Sequence, residues 1–165
     1  MKFGFYTLGC KVNQYETQAM EQILQNLGHS TAPFGEDCDG YIINTCSVTA
    51  VADKKNRAVI RRCRRDNPQA IVAVCGCMMQ QNGMADMVRS SAPHVDIIFG
   101  THNLHHFPEY LYRVYQGEGR QVVVFEKEEG IQEGLPSYRE YPFKALVNIV
   151  YGCNNFCSYC IIPYL

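Results

Sequence analysis

The chain reads as an α/β protein on a parallel, three-layer sheet of the Rossmann or flavodoxin type, and three observations predict this. Short apolar runs of strand length alternate with longer segments whose apolar residues recur at helical spacing. Glycine, proline and asparagine punctuate the joins. Hydrophobic residues make up 47% of the 165 and charged residues 19%, a balance that supports a buried core and excludes a disordered chain.

Phe3 to Leu8 is the first expected strand. Asn13 then caps a helix, with Glu16 three residues on as its capping-box partner, and Ala19, Met20, Ile23, Leu24 and Leu27 recur on one face up to Gly28. Tyr41 to Thr45 is the next strand, followed by a helix from about Thr49 to Asp66 that ends before Asn67-Pro68. Ala70 to Cys75 reads as a buried strand, residues 81–89 as a helix stopped near Pro93, and Val95 to Phe99 as a strand. A helix from Pro108 to Tyr115 tolerates its proline in the first turn and closes at Gly117-Glu118-Gly119. These elements define an α/β domain over residues 1–120. Residues 121–141 read as a linker with one extra strand at Val122 to Phe125, and 142–165 as the start of a second domain, opening on the apolar run Phe143 to Val150.

Nine cysteines carry most of the chemical information. The amino end lacks the apolar core and cleavage site of a signal peptide, and no stretch reaches the roughly 20 apolar residues of a membrane helix. A cytoplasmic chain is expected, in which cysteines serve as metal ligands more readily than as a disulfide framework. Cys153, Cys157 and Cys160 stand in the spacing C-x3-C-x2-C within a loop of small and polar residues. Three thiolates leave one iron of a 4Fe-4S cluster open, the arrangement in which S-adenosylmethionine is cleaved to a radical. Zinc is the plain alternative, but it favours a fourth ligand, and no histidine follows Tyr141. Cys10, Cys46 and Cys77 each come just after an expected strand and just before a helix, so a parallel sheet brings them to its carboxyl edge, where sites form. On spacing alone, convergence on a metal and three unrelated core cysteines are both open readings. Cys38, Cys63 and Cys75 fall in a loop, a helix and a strand and read as small apolar residues.

Residues 7–16 (Thr-Leu-Gly-Cys-Lys-Val-Asn-Gln-Tyr-Glu), Asn44-Thr45-Cys46, Gly76-Cys77 and residues 152–160 (Gly-Cys-Asn-Asn-Phe-Cys-Ser-Tyr-Cys) together resemble the radical S-adenosylmethionine methylthiotransferase family. The resemblance implies an amino-terminal domain whose Cys10, Cys46 and Cys77 hold an auxiliary 4Fe-4S cluster, and a radical cluster on Cys153, Cys157 and Cys160. It implies S-adenosylmethionine as cofactor, an electron donor as partner, and replacement of a C–H bond by C–S–CH3. Leu8-Gly9-Cys10-Lys11-Val12-Asn13 and Asp53-Lys54-Lys55 are similar to the branch that modifies N6-threonylcarbamoyladenosine at C2, at position 37 of tRNA. The isopentenyladenosine and ribosomal-protein branches are the alternatives, as is a non-catalytic iron–sulfur or tRNA-binding module. A flavodoxin-like electron carrier is disfavoured, because the Leu8 to Asn13 turn lacks a phosphate-binding loop.

Net charge is −1, so no global basic field points to DNA, and tRNA contact must come from a local patch. Lys54, Arg57, Arg61, Arg64 and Arg65 supply one, a basic stripe on the helix after Cys46 that suits phosphate or simply a solvated face. Family members continue past the last cysteine into a barrel and an RNA-binding domain. With Leu165 the final residue, this polypeptide alone is expected to hold cluster ligands but to be inactive.

Overall fold

A computed structural model describes residues 1–125, 134–136, 139 and 141–165. Six strands, β1 (Lys2–Thr7), β2 (Ser30–Pro33), β3 (Gly40–Thr45), β4 (Ile71–Gly76), β5 (Ile97–Phe99) and β6 (Gln121–Val123), form one sheet in the order β2-β1-β3-β4-β5-β6. Every pairing is parallel. The helices are α1 (Lys11–Asn26), α2 (Ala50–Asp66), the single turn α3 (Cys77–Gln80), α4 (Met84–Ser91) and α5 (Phe107–Tyr115), with a 3-10 segment at Thr101–His106.

Alternation along the strands divides the core into two layers. In β3, Tyr41 and Ile43 face Ile60 and Cys63 of α2, Met78 and Met79 of α3 and Val88 of α4, while Ile42 faces the other way. That other side packs Ala19, Met20 and Leu24 of α1 against Phe107, Tyr110 and Leu111 of α5, over Phe3, Ile97 and Phe99. Helices therefore cover both faces, as buried parallel strands require. The expected α/β three-layer fold is what the chain adopts.

Four local expectations change. A strand forms at Ser30–Pro33, where no apolar run announces it, because an edge strand pairs on one side only and tolerates Pro33. Helix α1 is capped by Cys10 and not by Asn13, whose side chain instead accepts a 3.3 Å bond from the Cys10 backbone NH. Leu27 ends up about half exposed, beyond the buried stripe of Ala19, Met20 and Leu24. Phe143 to Val150, expected as the opening strand of a second domain, forms no ladder with any described residue. Its Phe143 and Ile149 side chains are 85% and 90% exposed, and a strand needs a neighbour to satisfy its backbone and cover its apolar face. The extra strand near Val122 is present as β6. Phe125 then returns to the body through hydrogen bonds from Gln80 Nε2 to its carbonyl and from its NH to Asn103 Oδ1. Most of the expected linker, at 126–133, 137, 138 and 140, lies outside the described residues.

Candidate metal centre

The strand order reverses between β1 and β3, the switch point at which open parallel sheets place their sites. Thr7 is level with Asn44, Asn44 with Cys75, and Thr45 with Gly76. Three adjacent strands thus end together, and the turns that leave them carry Cys10, Cys46 and Cys77.

One buried asparagine joins these turns. Asn13, fully buried, donates through Nδ2 to Asn44 Oδ1 and to the Thr45 carbonyl, both at 2.9 Å. Its Oδ1 lies 3.4 Å from Cys10 Sγ and 3.9 Å from Cys77 Sγ, so the two sulfurs flank a single oxygen. Cys46 lies beside the Cys10 turn. Its Cβ lies 3.0 Å from where a side chain on Gly9 would begin, and its carbonyl accepts a 2.8 Å bond from Asn56 Nδ2. The structure therefore brings Cys10, Cys46 and Cys77 together. Sequence reasoning placed the cysteines but missed Asn44, Asn56 and the inward role of Asn13. The available signal was an asparagine at the end of the apolar run Tyr41 to Thr45, which must find hydrogen-bond partners once buried.

The donor set is all thiol. Soft sulfur ligands on three separate turns suit a 4Fe-4S cubane, which spreads its thiolates over three irons and holds them further apart than a single ion would. Among the described residues, no three His, Cys, Asp or Glu side chains are grouped to hold one metal ion. Burial pushes the Cys77 thiol up to about 12, and negative charge on Glu16, Cys46 and Cys10 adds to the effect. Thiolates crowded in this way need a cation among them, so the residues fit an iron–sulfur cluster.

Glu16 is the buried acid of the site. Its Oε2 accepts from Asn44 Nδ2 at 3.2 Å, and burial raises its carboxyl from 4.5 to about 7, with the Asn44 hydrogen bond pulling partly back. Below about pH 4.5 both folded and unfolded chains hold this proton and it costs nothing. As pH rises toward 7 the unfolded chain ionises first, so the folded state loses stability, by about 3 kcal/mol once pH exceeds the folded value. Glu16→Gln keeps an acceptor for Asn44 and removes this loss. Urea unfolding midpoints of the variant should therefore fall less between pH 5 and 8 than those of the parent; parallel curves would show that Glu16 ionises freely.

The other candidates lie elsewhere. Cys153 and Cys157 are exposed and Cys160 half-buried on a loop where the Cys160 NH bonds the Cys157 carbonyl. Cys38, Cys63 and Cys75 are buried, with burial pushing Cys63 up to about 12 and Cys75 well above the thiol range. The basic stripe runs away from the cysteines, because α2 starts beside Cys46 and returns to the opposite edge of the sheet, about 25 Å over its length. Only Lys54 and Arg57 lie near the cysteine edge, and Arg57 pairs with Asp53 at 3.1 Å. Arg61 is exposed further along, Arg64 bonds the Pro68 carbonyl, and Arg65 pairs with Asp66. No helix among the described residues is long and apolar enough to cross a membrane.

A profile of the family described as Uncharacterized protein family UPF0004 matches residues 2–100, the segment holding five strands and all three converging cysteines. The chain belongs to the UPF0004 family. Among its relatives, tRNA-2-methylthio-N(6)-dimethylallyladenosine synthase of Clostridium perfringens is 48% identical over 167 residues, covering 99% of this chain and 37% of that protein. Proteins of the same name from Alkaliphilus oremlandii and Pelotomaculum thermopropionicum are 42% and 41% identical, again over 99% of this chain and 35% and 38% of their own lengths. This UPF0004 chain thus spans little more than a third of the relatives it matches.

These names correct the branch. The threonylcarbamoyladenosine reading rests on Leu8-Gly9-Cys10-Lys11-Val12-Asn13 and the Asp53-Lys54-Lys55 run, where the polar contacts seen for Lys11 and Asp53 are local. The Lys11 ammonium bonds Gln14 Oε1 at 2.9 Å, Val12 is exposed, and Asp53 pairs with Arg57 one helical turn away. The relatives named for the dimethylallyl compound overturn the assignment.

Proposed function

We propose that this chain is the amino-terminal part of a tRNA methylthiotransferase acting on N6-dimethylallyladenosine, with Cys10, Cys46 and Cys77 as ligands of one 4Fe-4S cluster and Cys153, Cys157 and Cys160 as ligands of a second. The observation that carries this reading is identity of 41–48% over nearly the whole chain to synthases of that name, combined with three thiols converging at the sheet's switch point. When bound, the clusters and S-adenosylmethionine would supply the radical, the sulfur and the methyl group. The chain's own part is positional. Asn13 and Asn56 hold the first three cysteine turns in place, and the C-x3-C-x2-C loop presents three thiols while leaving one iron free for S-adenosylmethionine. A reductant must deliver electrons to that second cluster. Lys54, Arg57, Arg61, Arg64 and Arg65 would take tRNA phosphates along one flank, adding affinity without base selection.

Disruption of the gene, followed by mass spectrometry of digested tRNA, tests the reading. The 2-methylthio derivative of N6-dimethylallyladenosine should disappear and its unmodified precursor accumulate, while the threonylcarbamoyl series is unchanged. Loss confined to the threonylcarbamoyl series would refute it.

A further inference from the structure

We propose that Asn13 is the positioning residue of the three-cysteine site: its amide, locked in one orientation by Asn44 and Glu16, fixes the three turns relative to one another and points its carbonyl oxygen, not its NH2 group, at the sulfurs. This rests on the reading that Cys10, Cys46 and Cys77 hold an iron–sulfur cluster.

The orientation follows from the partners. Both hydrogens of Asn13 Nδ2 are used, toward Asn44 Oδ1 and the Thr45 carbonyl, and Oδ1 accepts from the Cys10 backbone NH. Turning the amide over would set NH2 against an NH donor and oxygen against two acceptors. No compensating water can enter, because Asn13 and Asn44 are fully buried. Asn44 cannot turn over in concert. Its own Nδ2 lies 3.0 Å from the Asn13 carbonyl, which can only accept, and 3.2 Å from Glu16 Oε2 and 3.3 Å from the Thr17 hydroxyl, so Oδ1 is the atom left facing Asn13 Nδ2. Glu16 thereby helps fix an amide one residue removed from it in the network.

The consequence is electrostatic. Outer hydrogen bonds and local charge tune cluster potentials, and donors to sulfur favour the reduced form. A carbonyl dipole with its negative end between Cys10 Sγ and Cys77 Sγ acts in the opposite sense and holds the site at a more negative potential. The single asparagine thus sets both ligand spacing and redox poise.

The test uses the chain with Cys153, Cys157 and Cys160 replaced by serine, so that one cluster site remains. Anaerobic reconstitution with iron and sulfide, iron counting, and a dithionite titration followed by electron paramagnetic resonance give the readouts. Asn13→Ala should shift the midpoint to more positive potential. Asn13→Asp, equal in shape but unable to donate to Asn44 and Thr45, should lose most of its iron. Glu16→Leu should shift the potential in the same direction as Asn13→Ala, while Glu16→Gln, which keeps an acceptor, should restore it; this pair carries the test if Asn13→Ala does not fold. Unchanged iron content, potential and spectrum across these variants would overturn the proposal. A parent that binds no iron would instead sink the cluster reading, and the spacing role is then read from alkylation of Cys77 in the iron-free chain, expected to speed up several-fold in Asn13→Ala. An unchanged rate would overturn the spacing role too.

Discussion

Gly76→Ala is expected to lower the stability of the chain by roughly 3–5 kcal/mol and to abolish the metal binding proposed for the three-cysteine site. Gly76 ends β4 with φ of 91° and ψ of −174°, a conformation essentially reserved for glycine. A Cβ there would fall on Asn44 Oδ1 and on the Thr45 carbonyl, and would stand 2.8 Å from the Thr45 amide nitrogen. Backbone atoms of the neighbouring strand cannot step aside as a side-chain tip can. Relief must come from moving the turn that carries Cys77, which separates its sulfur from Asn13. Gly83→Ala is the proper control, since Gly83 also has positive φ, at 75°, but nothing within 4 Å of its would-be Cβ. It should cost only about 1 kcal/mol, the strain without the collision. Urea unfolding of both variants measures the difference, and equal losses would show that crowding at Gly76 plays no part.

Periodicity made the central elements legible, because β3 and β4 are buried runs, β1 buries Phe3 and Gly4, and α1 and α2 bury one face each. The edge strand Ser30–Pro33 escaped because its half-exposed residues have no apolar run to display. Segments of one or two turns, Cys77–Gln80 and Thr101–His106, are too short for a helical period to register. Asn13 shows a different failure. Its local context matches a helix cap, yet its partners Asn44 and Thr45 lie 31 and 32 residues away, and no local rule contains them. That the three cysteine turns share one edge was legible for the opposite reason, since a parallel sheet sends every strand-to-helix turn to the same edge whatever its sequence separation, although spacing alone left a common site and three separate core cysteines both open.

If the two cysteine sets form the two cluster sites proposed above, those sites fill and empty independently. The anaerobically reconstituted chain should hold about eight irons if both bind 4Fe-4S clusters. Alanine at any of Cys10, Cys46 or Cys77 should remove about four, since a cubane bound by three protein thiolates has no spare ligand, and Cys75, two residues before Cys77, is buried within its strand with its proton held well above the thiol range. Alanine at Cys153, Cys157 or Cys160 should remove the other four, and only that set should lose the spectral change on adding S-adenosylmethionine. Cys38→Ala and Cys63→Ala should leave the iron count unchanged and act on packing alone, because both thiols sit in the core cluster beneath α2. A chain in which either triad's loss removes all the iron would mean one shared site, and one that keeps eight irons without Cys77 would place the first cluster elsewhere.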